Sequence, residues 1–387
     1  MCIAAKMKQM LSSIYIHIPF CIRKCLYCDF ASFPGKESIF DQYLDALKTE
    51  INRDASGFPD ANISTIYFGG GTPNVLSSNQ LGGILDKIKQ DFAVDADAEI
   101  TIEANPGIET DMRYFTDLRD SGFNRISMGI QSVHEEELQL LGRIHSASDS
   151  IRSFQAARQA GFRNISVDAM YGIPGQTRES WRETLKKLLL LEPDHISLYA
   201  LTIEEETPFL AMRNSGKLDL PGEDIEADMH EEAISILSVA GFEHYEISNF
   251  AKPGFTCRHN LTYWRNEPYF GFGAGAASYL RGVRSANVSE PEEYIRRMES
   301  GESAVAASES LIGKAAMGET VFLGLRMLSG LNIESFKQRY GLAPMEVFGP
   351  QIKNLTERGL LEQTEADIRL THSGLLFAND VFAEFVS

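Results

Sequence analysis

Cys21, Cys25 and Cys28 stand in a C-x3-C-x2-C spacing within His17-Ile-Pro-Phe-Cys-Ile-Arg-Lys-Cys-Leu-Tyr-Cys-Asp-Phe30. Three thiolates this close can each hold one iron of a four-iron, four-sulfur cluster, leaving the fourth iron without a protein ligand. An open iron can bind and activate a small molecule. A structural zinc site wants four closed ligands, usually as two pairs, and the remaining Cys2 and Cys257 are single and distant. A disulfide framework suits a short secreted chain, whereas this one has 387 residues, five Cys and no secretory apolar segment.

Other motifs are weaker alone. Gly69-Gly-Gly-Thr-Pro73 lacks the lysine and spacing of a phosphate-binding loop, so it reads either as a tight turn or as backbone approaching an amino-acid-like ligand. Gly271-Phe-Gly273-Ala-Gly-Ala276 matches a dinucleotide fingerprint only superficially, and close packing of a loop explains it better. Cys257-Arg-His-Asn-Leu-Thr-Tyr-Trp264 contains His-Asn-x-x-Tyr-Trp. Imidazole is a common axial ligand of haem iron, and neighbouring aromatics can cover a porphyrin face. A lone His in a polar loop is more often no ligand at all.

Elements that would position these residues follow from periodicity. Short β-branched or aromatic runs at Ile14–Ile18, Thr65–Phe68, Glu99–Glu103, Arg125–Gln131, Ile165–Tyr171 and His195–Leu201 alternate with amphipathic stretches such as Phe40, Tyr43, Leu44, Leu47 and Ile51. Gly122-Phe123, Gly161-Phe162 and Gly241-Phe242 each close such a stretch, and the third suggests a further strand near Glu243–Ile247. Repeated βα units imply a parallel sheet. Cys21, the glycine loop, Glu103, Gln131 and Ala200 fall at the C-terminal ends of successive runs, with Asp168 inside the fifth, as at the mouth of a barrel. The expected fold is therefore α/β, a partial (β/α)6 TIM-like barrel with a small C-terminal helical, winged-helix-like domain. The boundaries read as an N-terminal extension over 1–13, the barrel over 14–250, a connecting segment over 251–303 and the last domain over 304–387. That domain would hold helices near Glu309–Leu328, Ile333–Tyr340 and Pro344–Arg358, then a short strand pair.

Composition excludes some functions. With 36 basic against 54 acidic residues the formal charge is −18, which repels nucleic acid. Residues 305–387 carry 7 basic and 10 acidic side chains, so the winged-helix-like region is a poor DNA reader. No apolar run reaches the roughly 20 residues of a membrane span. A cytoplasmic location is expected, where thiols stay reduced.

Taken together, Tyr15-Ile-His-Ile-Pro-Phe-Cys, the cysteine spacing with Tyr27 before the third Cys, Gly69–Pro73, Glu103-Ala-Asn-Pro106, Ser127-Met-Gly-Ile-Gln131 and Asp168-Ala-Met-Tyr-Gly-Ile-Pro174 resemble the radical S-adenosylmethionine family, in the group related to oxygen-independent coproporphyrinogen III oxidase. The resemblance implies that Cys21, Cys25 and Cys28 hold a 4Fe-4S cluster whose open iron takes the amino and carboxylate groups of S-adenosylmethionine. Gly71 and Thr72 would line that ligand and Arg143 would pair with its carboxylate. Glu103, Gln131 and Asp168 would contact the adenosyl part, with Tyr15 and Ala200 lining the pocket. Alone, Asp168 could as well cap a loop and Arg143 be a solvated helix charge.

His-Asn-x-x-Tyr-Trp marks the HemW branch of this group, proposed haem chaperones. The resemblance implies that His259 contacts haem iron, with Asn260, Tyr263 and Trp264 shaping the site. Cys257, two residues from His259, offers a thiolate as the alternative ligand. Oxidases carry a further cysteine where this chain has Phe30, and more residues before the first Cys. The leading expectation is a haem chaperone passing haem to an acceptor protein, with cluster or S-adenosylmethionine binding gating delivery through a transfer-competent conformer or homodimer. The alternative is coproporphyrinogen III oxidation by a 5′-deoxyadenosyl radical.

Overall fold

The computed structural model describes residues 10–108 and 110–386, so most of the N-terminal extension, Cys2 included, lies outside the described residues. All six expected strands are present: β1 (Met10–Ile18), β2 (Ala61–Gly70), β3 (Ala93–Ala104), β4 (Arg125–Gln131), β5 (Ile165–Tyr171) and β6 (His195–Ala200). Each pairs with the next in parallel, in sequence order.

Strand alternation explains how the sheet becomes a barrel with a polar interior. Ile14, Ile16 and Ile18 of β1, Ile66 and Phe68 of β2, and Ile126, Met128 and Ile130 of β4 belong to the main hydrophobic core beneath the helices. The intervening side chains point the other way, because successive strand residues face opposite sides. They include Tyr67, Glu103, Arg125, Asp168 and His195, and they meet one another inside the barrel. Outside, helix Phe40–Ala55 buries Tyr43, Leu44, Leu47 and Ile51 on one face. Gly122, Gly161 and Gly241 have φ of 113°, 97° and 86°, the left-handed turn into the next strand that their spacing suggests.

The sheet is larger than six strands. The further strand expected near Glu243–Ile247 is present as Glu243–Glu246 (β7), where it forms an antiparallel hairpin with Asn249–Ala251 (β8) beside β6. Residues 251–303, expected as a connector, contribute Tyr269–Phe272 (β9), Ala277–Leu280 (β10) and Val283–Asn287 (β11). β9 lies parallel to β1, and β10, β11 and Val305–Ser310 (β12) continue antiparallel to a twelve-stranded sheet. The helix expected from Glu309 accordingly starts at Gly313, because Val305–Ser310 pairs with β11.

The Gly271–Ala276 loop is held by packing. A Cβ on Gly271 would stand 1.9 Å from the Ala277 carbonyl oxygen, and Gly273 donates its backbone N–H to Glu50 at 2.9 Å. Glu50 is 2% exposed and also accepts from Asn287 at 2.7 Å and Tyr294 at 2.6 Å. Burial pushes its carboxyl up to about 7 although these donors pull it down. The folded state therefore keeps a proton between about pH 4.5 and about pH 7 that the unfolded chain has released, so this group's stabilisation is full in acid and lost as pH rises through that window. The stability of wild type minus that of Glu50→Gln should fall by about 3 kcal/mol across it. Urea unfolding at a series of pH values measures this, and a flat difference would refute it.

A second core, with Val321, Leu325, Phe336, Phe348 and Ile352, organises the C-terminal region. Helices Gly313–Gly324, Ile333–Tyr340 and Pro344–Glu357 pack with a three-stranded sheet, in which Asp367–Leu370 lies between Leu361–Gln363 and an additional strand, Leu331–Asn332. Backbone bonds from Leu328 to Tyr245 and from Ile247 to Arg326 tie it to the barrel.

Candidate cofactor site at the barrel mouth

A cavity of about 480 Å3 opens at the C-terminal ends of the parallel strands. Cys21, Cys25 and Cys28 line it together with Gly71, Thr72, Glu103, Gln131, Arg143, Asp168 and Ala200, so the sequence-derived cluster and nucleoside residues converge there. Tyr15 is the exception.

Cys21 is carried just past β1 on a two-residue strand, Phe20–Cys21, paired with Phe33–Pro34, which closes the cysteine loop. Its Sγ lies 3.2 Å from Thr72 Oγ1, and Arg143 Nη1 lies 3.6 Å from Cys25 Sγ. All three thiols are partly exposed, and burial pushes those of Cys21 and Cys28 up. Among the described residues no three Cys, His, Asp or Glu side chains converge on one metal-ion position. Three thiols lining one cavity suit a cluster, since each sulfur takes a different iron.

The glycine loop owes its sequence to close approach. Gly70 has φ 111°, and a Cβ there would stand 2.4 Å from the His17 ring. Gly71 and Thr72 donate their N–H groups to the carbonyls of Ile18 and Phe20 at 2.9 and 2.8 Å, locking the loop onto the start of the cysteine segment. Thr72 Oγ1 also accepts from Asn105 at 2.9 Å, and Asn105 Oδ1 accepts from Arg143 Nη2 at 2.6 Å. Arg143 is thereby fixed by Asn105 and by the Gly129 carbonyl, 2.7 Å away, with its guanidinium facing the cysteines. It is no solvated helix charge.

Glu103 closes the inner wall. Its Oε1 accepts from Tyr67 at 2.9 Å and its Oε2 from the Gly70 N–H at 3.2 Å. Burial, with the nearby Asp168 carboxylate, pushes Glu103 up to about 7. Asp168 accepts from Ser127 at 3.2 Å, and burial pushes it up as well. Gln131 adopts φ 68°, and its buried Oε1 has no partner among the described residues. An orphaned acceptor facing this cavity fits a ligand that brings a donor, as an adenosyl group does. These residues fit the cluster and S-adenosylmethionine.

Tyr15 does not line the cavity. It points into the barrel one rung lower, its hydroxyl 3.1 Å from His17 Nδ1 and its ring stacked on Tyr67 at 6.2 Å. The reason is strand parity: position 15 faces inward but three residues short of the β1 end.

The His-Asn-x-x-Tyr-Trp segment lies at the opposite end. Helix Arg258–Trp264 plugs the barrel floor, with Thr262 Oγ1 2.8 Å from Ser13 Oγ. Glu99 accepts from the N–H groups of Arg258 and His259 at 3.1 and 3.0 Å, and Cys257 Sγ lies 3.6 Å from it. His259 is 1% exposed. Thr65 Oγ1 stands 2.7 Å from its Nδ1 and Tyr263 Oη 2.9 Å from its Nε2. Burial, helped by Arg125, pushes its pKa down to about 3, so the ring is neutral. Trp264 faces the C-terminal region, under the Arg326 guanidinium at 4.3 Å, and Asn260 is half-buried on the same helix. The segment expected to hold haem is thus a closed floor in this conformation. Cys257 is fully buried, and burial pushes its thiol up to about 12, which removes it as a ready thiolate ligand.

Reading from sequence missed Tyr67, Asn105, Arg125, Glu99 and His195, which build the interior between floor and mouth. Period-two alternation in Ser13-x-Tyr15-x-His17 and Thr65-x-Tyr67 was the available signal.

Comparison with known proteins agrees with this geometry. Residues 15–188 match the Radical SAM superfamily and residues 313–377 the HemN C-terminal domain. The chain is 38% identical over 377 residues to "Heme chaperone HemW" of Bacillus subtilis, covering 97% of this chain and 99% of that protein. It is 35% identical over 384 residues to the protein of the same name in Escherichia coli, covering 97% and 98%. The solved structure of coproporphyrinogen III oxidase (HemN) from Escherichia coli superposes with a TM-score of 0.85 at 28% identity, covering 98% of this chain and 91% of that one. Full-length similarity, the cysteine-lined mouth and the shared barrel agree: this chain belongs to the HemW family of radical S-adenosylmethionine proteins.

Proposed function

We propose that this protein is a cytoplasmic haem chaperone that binds haem and passes it to an acceptor protein, with a 4Fe-4S cluster and S-adenosylmethionine at the barrel mouth. The observation that carries the reading is end-to-end similarity to proteins named as haem chaperones, together with Phe30 next to the cysteine loop. Phe30 is 63% exposed at the rim of the cavity, where porphyrinogen oxidases place a further cysteine. No described helix is long and apolar enough to cross a membrane.

Cys21, Cys25 and Cys28 would hold the cluster, which supplies an open iron for the amino and carboxylate groups of S-adenosylmethionine. Arg143 would pair with that carboxylate as a charge-assisted fork, while Glu103, Gln131 and Asp168 take the polar edges of the adenosyl group. For haem, His259 has the right chemistry once the floor opens. Its ring is neutral, the form that binds iron, and Thr65 at Nδ1 fixes the tautomer, leaving Nε2 to exchange Tyr263 for iron.

The test is a Soret titration of anaerobically reconstituted protein beside His259→Ala, with a parallel assay for coproporphyrinogen decarboxylation. Wild type should bind haem and decarboxylate nothing, and His259→Ala should bind haem at least about tenfold more weakly. Porphyrinogen turnover would favour the oxidase reading that the 28% identical HemN structure keeps open. Unchanged haem affinity and spectrum in a folded His259→Ala protein would remove His259.

A further inference from the structure

The mouth and the floor are joined by one strand. β2 begins near the floor and ends at the glycine loop, and its inward residues Thr65, Tyr67 and Gly69 rise toward the cavity by about 3.3 Å per residue. Thr65 holds His259 Nδ1 at 2.7 Å, and two residues on Tyr67 touches both sites at once. Its hydroxyl donates to Glu103 Oε1 at 2.9 Å, while its ring lies on His259 at 5.1 Å with the planes 26° apart. Tyr15 packs beside both rings, 6.2 Å from Tyr67 and 6.5 Å from His259 between centroids. A phenol is rigid, so its hydroxyl cannot be drawn one way without moving the ring face against its neighbours.

We infer that Tyr67 is a positioning residue shared by the two sites, so that a nucleoside at the mouth and a haem at His259 bind with coupled affinities. This rests on the haem-chaperone reading. Among the described residues the Tyr67 hydroxyl donates to Glu103, which already serves the Gly70 N–H through its other oxygen. A nucleoside donor at Glu103 competes with Tyr67 for Oε1. Released from that bond, the ring no longer clamps His259 from above, and the Arg258–Trp264 helix loses one of the contacts that hold it closed. S-adenosylmethionine should therefore tighten haem binding, and haem should tighten S-adenosylmethionine binding by the same factor.

The experiment is a Soret titration of the cluster-loaded full chain with and without saturating S-adenosylmethionine, for wild type and Tyr67→Phe, with iron content and melting curves alongside. In wild type, S-adenosylmethionine should lower the haem Kd at least about fivefold, within the usual range of coupling between sites. Tyr67→Phe keeps the ring and loses the hydroxyl, so without S-adenosylmethionine it should match the haem Kd of saturated wild type. Adding S-adenosylmethionine should then change its Kd by less than about twofold. A general loosening of the fold would not erase the response to S-adenosylmethionine. Wild type that binds both ligands independently, or Tyr67→Phe with the full response, overturns the coupling alone. Wild type that binds no haem overturns the chaperone reading, and the coupling falls with it.

Discussion

Alanine at Cys21, Cys25 or Cys28 should leave anaerobically reconstituted protein with almost no iron, against about four irons per chain in wild type. Each thiol supplies the sole protein bond to one iron of the expected cluster, so two remaining sulfurs cannot close the set. Cys21 and Cys28 reinforce the effect, because burial holds their free thiols up and metal must displace a proton at each. Loss of one ligand therefore removes the binding energy that pays for deprotonating the others. Cys257→Ser should retain full iron, since that thiol lies at the far end of the barrel against Glu99. Iron and sulfide analysis, with the broad visible absorption of the cluster, measures the result. Stoichiometric zinc in wild type, or normal iron in any one of the three alanine variants, would contradict the cluster assignment.

Much of this architecture was legible because local rules and global fold agree. The cysteine loop, the glycine loop and the six apolar runs each announce themselves within a few residues, and their order alone places the mouth. What escaped depends on distant contacts. Val305–Ser310 is an exposed edge strand of Val, Ala, Ser and Glu, with no apolar alternation to betray it, and its place comes only from pairing with β11. Tyr15 is inward-facing, as its motif position suggests, yet how deep it lies depends on where β1 ends. His259 reads as a polar-loop histidine because the partners that bury it, Thr65 and Glu99, are 194 and 160 residues away. Motif likeness marks such a residue as important without telling whether it is presented or enclosed.

The polar barrel interior needs a counter-charge, and Arg125 supplies it. This first residue of β4 is 1% exposed and lies among Cys257, Glu99, Tyr67 and Tyr245, with its Nε unpartnered among the described residues. Its charge also helps hold Asp168 and Glu103 down against burial, and adds to the burial that keeps His195 and His259 neutral. Glu99 is among its charged neighbours, and that 7% exposed side chain accepts from the first turn of the floor helix. Arg125→Met preserves much of the volume and removes the charge, leaving an uncompensated carboxylate inside the barrel. Stability should fall by about 1–3 kcal/mol, the usual cost of leaving a buried polar group without its compensating partner. Adding Glu99→Gln to that variant should restore part of the loss, because a neutral amide no longer requires the guanidinium. The two changes would then be strongly non-additive, as expected for residues sharing one network. Equilibrium urea unfolding of the two single variants and the double variant gives the coupling energy. Additive losses would mean that Arg125 acts by packing alone, and that the floor helix is held by its hydrogen bonds without help from the buried charge.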